Sequence, residues 1–448
     1  MTSRFLLALA LLVALPVWSQ VNDNAAPAAN DNPANEDARM LIPPPVTGEA
    51  YATAPEAEVR SNYLRAGVVF NTEYTDNVLA GITAKPVSDI DYSVWPTITF
   101  DETTTRLHSI LTYAPGFTVY QRTSGRNEAD QNAGVDIQYR LSPHLTASVR
   151  DSFQKASSVF SQPDSFSAAP VYGTAQAPTA AVIPPVANRL TNNANAELTY
   201  QFSRTGMIGG SGTFTNLHFP DPTEVPGLYD SSSRGGSAFY NHRLSKKHYI
   251  GAQYQYFQTL AFPTGPEFET QTHTLFVFYT VYLKPTLSLS FSGGPQYYQA
   301  LQGALINSHS WSPASTASLG WQGLHTTFAA NYSRTVTGAG GLLGAFESNT
   351  ASVSARWQMT RTWNIGTAGN YAIYKDVLPV ISSTSSEGGH SIFGTVSLRH
   401  PIGQYFDAEL RYTRLHQSYS GIPLIATAPD TNIESISISY HFNRALGR

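Results

Sequence analysis

The chain has 448 residues, 42% of them hydrophobic and only 13% charged, with a formal net charge of −4. It contains no cysteine, which excludes disulfides, thiol nucleophiles, cysteine-ligated metals and a lipid anchor on an N-terminal cysteine. No basic patch is present, so nucleic acid is excluded as a partner.

The N-terminus, MTSRFLLALALLVALPVWSQ, carries Arg4, an apolar run from Phe5 to Val17 and a small residue at Ser19. The run is roughly 13 residues, short of the ~20 that a spanning helix needs. Residues 1–19 therefore read as a secretory signal peptide. Residues 20–60 are rich in Asn, Ala, Pro, Asp and Glu and show no periodicity. They are expected to form a structureless periplasmic lead-in, too poor in large apolar residues to fold as a plug.

From residue 61 to 442 the pattern has a period of two. In TLSLSFS, Leu287, Leu289 and Phe291 alternate with Ser288, Ser290 and Ser292. In NAGVDIQYRL, Ala133, Val135, Ile137, Tyr139 and Leu141 alternate with Asp136, Gln138 and Arg140. The segment Asn432–Phe442 repeats the theme with Ile436, Ile438, Tyr440 and Phe442 against Ser435, Ser437, Ser439 and His441. Such alternation marks strands with one oily and one wet face. No stretch approaches 18 apolar residues, so no helical span is expected.

Tight connections at 142–144, 204–206, 245–247, 284–286, 323–324, 360–362 and 401–403 alternate with longer ones such as 218–231, 300–309, 375–388 and 418–431. Short, long, short, long is the pattern of a transmembrane β-barrel. A strand of ~11 residues tilted by about 40° rises ~28 Å, enough to cover the ~25 Å apolar band of an outer membrane. Closure also removes the unpaired edges that lipid cannot solvate. The fold class expected is all-β: a transmembrane antiparallel up-and-down β-barrel of about 18 strands, or 16 if one hairpin is misread, in the outer membrane of a Gram-negative bacterium. It occupies 61–442 and is followed by a short extension, 443–448.

On this reading Asp136, Arg140, Arg150, Glu197, Arg356, Arg399, Asp407, Glu409 and Arg411 share the parity of the small polar residues and are expected to line the pore. A charge on the lipid face would cost ~2–4 kcal/mol at mid-depth. Their mixed signs argue against strong ion selectivity. Aromatics near strand ends, among them Trp357, Trp363, Tyr120 and Tyr297, are expected to form two interfacial girdles. Two features fit less well. Pro96, Pro115, Pro295 and Pro313 fall inside strands, where they suggest bulges. The segment around Phe276 and Phe278 is apolar on both faces, which suggests packing against something in the lumen.

The longest connection, 156–191, is Ala/Pro-rich, with Asp164 and Arg189 its chief charges. It folds either inward, as a nearly neutral constriction, or outward as a loop. Enzyme signatures are weak: GGSGT at 209–213 lacks the spacing of a nucleophile elbow, and no histidine pair has metal-ligand spacing. His218 with Asp221, and His390 with Glu387, are the polar loop pairs from which chemistry could be built. No cofactor is expected.

Two resemblances add to this reading. Asn432–Phe442 resembles the C-terminal strand of outer-membrane proteins, which implies recognition by the barrel-assembly machinery; NRALGR after Phe442 departs from that pattern. The stretch GVVFNTEYTDNVL, through Tyr74-Thr75-Asp76-Asn77-Val78, resembles the Y-x-D-N-apolar opening of a β-barrel porin family found with exopolysaccharide and capsule systems. That resemblance implies polysaccharide export, with a periplasmic export protein as partner. The function expected is therefore a channel for hydrophilic solutes or polysaccharide. The alternatives are a closed barrel that binds or adheres through its loops, and a membrane hydrolase.

Overall fold

The computed structural model describes residues 40–47, 62–80, 82–158, 186–222, 227–263, 265–302, 306–338, 341–377, 388–420 and 429–445. Its strands are β1 (Tyr63–Thr75), β2 (Asp89–Thr103), β3 (Leu107–Tyr120), β4 (Glu128–Ser142), β5 (Leu145–Ser158), β6 (Val186–Gln201), β7 (Gly206–His218), β8 (Asp230–Arg243) and β9 (His248–Phe262). They continue with β10 (Phe268–Lys284), β11 (Leu287–Gln302), β12 (Ile306–Gln322), β13 (Thr326–Gly338), β14 (Ala345–Gln358), β15 (Asn364–Asp376), β16 (Gly389–Ile402), β17 (Phe406–Tyr419) and β18 (Asp430–Ala445). Each strand pairs antiparallel with the next, and β1 pairs with β18, so the 18-stranded sheet closes on itself.

Alternation decides which way each side chain points. Phe70, Tyr92, Ile98, Leu275, Val277, Tyr279, Ile436 and Ile438 stand exposed on the outer face. An oily belt of this extent is incompatible with water and matches a bilayer's hydrocarbon. The inner face is laced with hydroxyl pairs that tie neighbouring strands: Ser211 to Ser237 at 2.8 Å, Ser292 to Thr316 at 2.6 Å and Thr413 to Thr395 at 3.0 Å. Such cross-strand pairs satisfy small polar groups without charge and leave an aqueous wall.

The prolines do not form bulges. In the β2–β3 ladder, pairing lapses between Val94↔Phe117 and Ile98↔Tyr113 with no change of register, which sets Pro96 opposite Pro115. Pro295 pairs directly with Pro313. All four share the outward parity, and each proline that lacks an amide faces another that cannot donate either. The aromatic residues on the inner face follow a second rule. Phe278 pairs with Gly251, Phe257 with Gly235, Phe239 with Gly209 and Tyr419 with Gly389, and Trp95 falls opposite Gly116. Each ring lies over the missing side chain, along the wall. Phe278 is thereby buried within the wall itself, and Phe276, opposite Gln253, is buried on the same inner face.

Three boundaries differ from expectation. The segment 300–309 is not a long loop: β11 runs to Gln302 and β12 starts at Ile306. The extension after Phe442 still pairs, because Arg444 and Ala445 continue β18 opposite Leu64 and Tyr63. Finally, Met40–Thr47 lies inside the barrel and interrupts the expected structureless lead-in. Fully buried Met40 packs with Leu41, Ile42 and Val46 against Met207, Phe239, Tyr249 and Tyr282, on the inner faces of β7 to β10. The Met40 amide donates to Gln201 Oε1 at 3.2 Å, and the helical turn Pro44–Thr47 lies along β11 and β12. A short run, Met-Leu-Ile, is enough here because the barrel supplies the rest of the apolar surface.

Candidate functional site: an asymmetric lumen

Two sides of the lumen differ in chemistry. On the β7–β15 side it is filled. Met40–Thr47 occupies the end where β1 begins and β18 ends. At the opposite end, the β7–β8 connection brings Phe219 and Leu228 inward, where they join Leu217, Leu342, Phe346, Ala372, Tyr374 and Tyr419 in one buried cluster. These residues come from β7, β14, β15 and β17 and two loops, so the cluster reaches across the barrel. The Tyr229 amide donates to the Gly341 carbonyl at 2.8 Å and ties the two loops together. Gly341 takes a positive φ of 89°, which lets the chain turn over Leu217, Phe219 and Leu228.

The β1–β5 and β16–β18 side carries charge. Arg399 Nη2 donates to Asp407 Oδ2 at 2.8 Å, and His441 Nδ1 lies 3.2 Å from the same oxygen. Arg411 Nη2 donates to Glu409 Oε1 at 2.8 Å. Across the first strands, Asp101 lies 3.8 Å from Arg65 and 3.6 Å from His108, and Arg150 Nε donates to Asp136 Oδ2 at 3.0 Å. Towards the loop end the acids dominate. Glu73 pairs in register with Asp91, and both are buried, as are Asp89 and Asp130. Asp89 is held by the Arg122 and Thr123 amides at 2.9 and 2.7 Å. Asp91 Oδ1, Ser93 Oγ, Trp95 Nε1, Thr118 Oγ and Tyr120 OH form an inner track of polar atoms without a protein partner. Such atoms need water or solute.

Every described residue expected to line the pore falls on the inner parity. The structure gathers Arg399, Asp407, Glu409 and Arg411 into one charged group and joins Asp136 to Arg150. Arg140, Glu197 and Arg356 stand elsewhere on the inner wall, on β4, β6 and β14. Arg189 sits on inward-facing β6 with its Nε unpartnered, whereas Asp164 and most of 156–191 lie outside the described residues. The sequence pattern placed His441 on the wet face, and the same parity also carries Arg65, Glu73, Asp91, Asp101 and His108, which the expected pore lining left out.

Of the two polar loop pairs, only His218 and Asp221 lie wholly among the described residues, and His218 Nδ1 bonds Asp230 Oδ2 at 2.6 Å. His390 stacks on His416 with centroids 5.4 Å apart, and Glu387 lies outside the described residues. Among the described residues no group of three His, Asp or Glu side chains could hold a metal.

Fold and lumen together define a transmembrane β-barrel with a partly filled, charged interior. No family model matches the chain, and no curated protein does. Solved structures of similar architecture include OccAB4 of Acinetobacter baumannii (9% identity, TM-score 0.42, covering 87% of this chain and 100% of that one). The outer membrane protein OpdK of Pseudomonas aeruginosa shares 9% identity at a TM-score of 0.41, over 85% of this chain and 99% of that one. OccK2 (OpdF) of the same organism, in complex with glucuronate, shares 8% at 0.42, over 85% and 98%. At these values the likeness carries no argument about cargo or residues. None of these structures concerns exopolysaccharide or capsule systems.

Proposed function

We propose that the chain is an outer-membrane channel for small hydrophilic solutes, with the passage along the inner wall of β1–β5 and β16–β18. The observation that carries this reading is the contrast between the two walls. Apolar packing fills one side, while the other presents ion pairs and unpartnered buried polar atoms that require water. Paired charges of both signs suit neutral or weakly charged polar solutes better than a single ion type. β18 remains the segment that the barrel-assembly machinery would read.

Polysaccharide is the less favoured cargo. Its motivation was the Tyr74–Val78 stretch, whose Asp76 and Asn77 are engaged in clamping β18. A long chain would also need both fillings to leave the lumen. A sealed barrel acting through its loops is the second reading, favoured by the apolar cluster that reaches across the loop end.

Planar-bilayer conductance tests the proposal. The purified protein should show discrete channels, and removing Met40–Thr47 should enlarge them. A barrel that stays silent with and without that segment would leave the sealed reading.

A further inference from the structure

The wall splits between β12 and β13. Their ladder runs from Gln322↔Thr327 up to Ser315↔Arg334 and stops there, although β12 continues to Ile306 and β13 to Gly338. Above that point β12 keeps pairing with β11 only, while β13 keeps pairing with β14 as far as Gly338↔Ala345. The paired ends of β13 and β14, up to Gly338 and from Ala345, have instead turned into the lumen. Val336 and Ala345, which the pleat assigns to the outward parity, are buried against Ala261, Phe268, Tyr298 and Ala300 on the inner face of β9–β11. Gly338 abuts Thr259 of β9.

One side chain replaces the missing strand. The Val336 amide donates to Gln296 Oε1 at 2.6 Å, and Gln296 Nε2 donates to the Val336 carbonyl at 2.9 Å. Both backbone groups of Val336 are thus the edge-directed pair that a neighbouring strand would otherwise take. Extending the β12–β13 register would set Val336 opposite Pro313, Thr337 opposite Ser312 and Gly338 opposite Trp311. Pro313 has no amide proton, so it could return only one of the two bonds that Gln296 gives. In that extended position Val336, Gly338 and Ala345 would face lipid, which suits them as well as the lumen cluster does, and Glu347, opposite Val336, would stand on the same outer face with its charge paired to Arg334. The hairpin tip therefore has two compatible seats.

We propose that the β13–β14 tip is a gate on the loop-end mouth: tucked, it closes the filled side of the lumen; zipped to β12, it opens it, with Gln296 as the latch. This rests on the channel reading above.

Cysteine pairs in the full-length protein test it, since the chain has no cysteine of its own. Cβ atoms at 259 and 338 would meet at 2.9 Å in the tucked seat, so a small local shift outward brings them to the ~3.5–4.5 Å of a disulfide. Ser312 lies on β12, three strand spacings from β9, or about 14 Å, well beyond disulfide reach of a residue beside Gly338. A Ser312→Cys/Thr337→Cys bond therefore reports the zipped seat alone. Under mild oxidant both bonds should form. Gln296→Ala should raise the yield of the 312–337 bond several-fold. The oxidised Thr259→Cys/Gly338→Cys protein should keep only the conductance of the β1–β5 and β16–β18 wall, and the oxidised Ser312→Cys/Thr337→Cys protein should conduct several-fold more.

If the 259–338 bond forms fully and the 312–337 bond never does, even with Gln296→Ala, the hairpin does not move and the gate is overturned. It is equally overturned if both bonds form and conductance stays the same. A 312–337 bond in a protein that never conducts would overturn the channel reading, and the gate with it.

Discussion

Asp76 and Asn432, 356 positions apart, clasp each other across the seam where the first and last strands meet. The Asn432 amide donates to Asp76 Oδ1 and its side-chain Nδ2 to Oδ2, both at 2.7 Å, and the Asp76 amide donates back to the Asn432 carbonyl at 3.1 Å. Asn77 Nδ2 adds a bond to the Asp430 carbonyl at 3.2 Å, and Val78 is buried beside Tyr120. The Y-x-D-N-apolar stretch thus has a mechanical role: it pins the loop after β1 to the start of β18 and covers the top of β3.

Asp76→Ala should loosen that seam without abolishing the barrel. Two charge-assisted bonds at about 1.5–3 kcal/mol each are lost, partly offset by water. Heat-modifiability on gels should show unfolding at a clearly lower temperature, with Asp76→Asn intermediate. An unchanged melting temperature for Asp76→Ala would show that the clasp is decorative.

Gly251 is the space in which Phe278 lies. A valine there meets both the ring and the Tyr240 carbonyl, and overpacking of this kind costs roughly 1–3 kcal/mol. Gly394→Ala is the control, since nothing lies within 4 Å of its added carbon. Denaturant midpoints of the two variants should separate; equal midpoints would mean the wall yields freely at Phe278.

Glu73 and Asp91 face each other on the inner wall, with Asp89 beside them. Carboxylates directly opposite each other on neighbouring strands are destabilising. Asp91→Asn should therefore raise stability slightly. It should also reduce a preference for cations, read as a reversal potential closer to zero under a KCl gradient. A reversal potential that does not move would place the ion path elsewhere.

Asp151 breaks the parity rule for charge. It points outward between Val149 and Phe153 and is exposed, with Asn192 Nδ2 donating to it at 2.9 Å. A carboxylate facing hydrocarbon costs on the order of 1 kcal/mol or more. Asp151→Leu should stabilise the barrel in lipid vesicles measured by urea unfolding. A destabilised variant would mean that something polar covers this face.

Much of the architecture was legible before any coordinates. Ser288, Ser290 and Ser292 against Leu287, Leu289 and Phe291 already separate water from lipid, because a period of two admits only two faces. The same parity, which placed His441 on the wet face, would also have assigned Asp101 and His108 to the lumen. The pairing of Phe278 with Gly251 was hidden, because register between strands is not written in either strand alone. The lumen filling was hidden for a similar reason. Leu217, Phe219, Leu342, Tyr374 and Tyr419 carry no common local signal and meet only once the barrel closes. Met40-Leu41-Ile42 looked too short for a plug because a plug was imagined as a domain with its own core. Pro313 suggested a bulge, and neither the end of the β12–β13 ladder at Ser315 nor the bonds from Gln296 to Val336 could be read from it.

Water lines the inner face of β16–β18 and lipid covers the outer face, residue by residue. Single cysteines introduced in turn from Ser435 to His441, in a chain without native cysteine, test it most directly. A membrane-impermeant thiol reagent should modify positions 435, 437, 439 and 441, and a lipid-phase quencher should reach labels at 436, 438 and 440. Uniform modification along the strand, or the opposite alternation, would contradict the account.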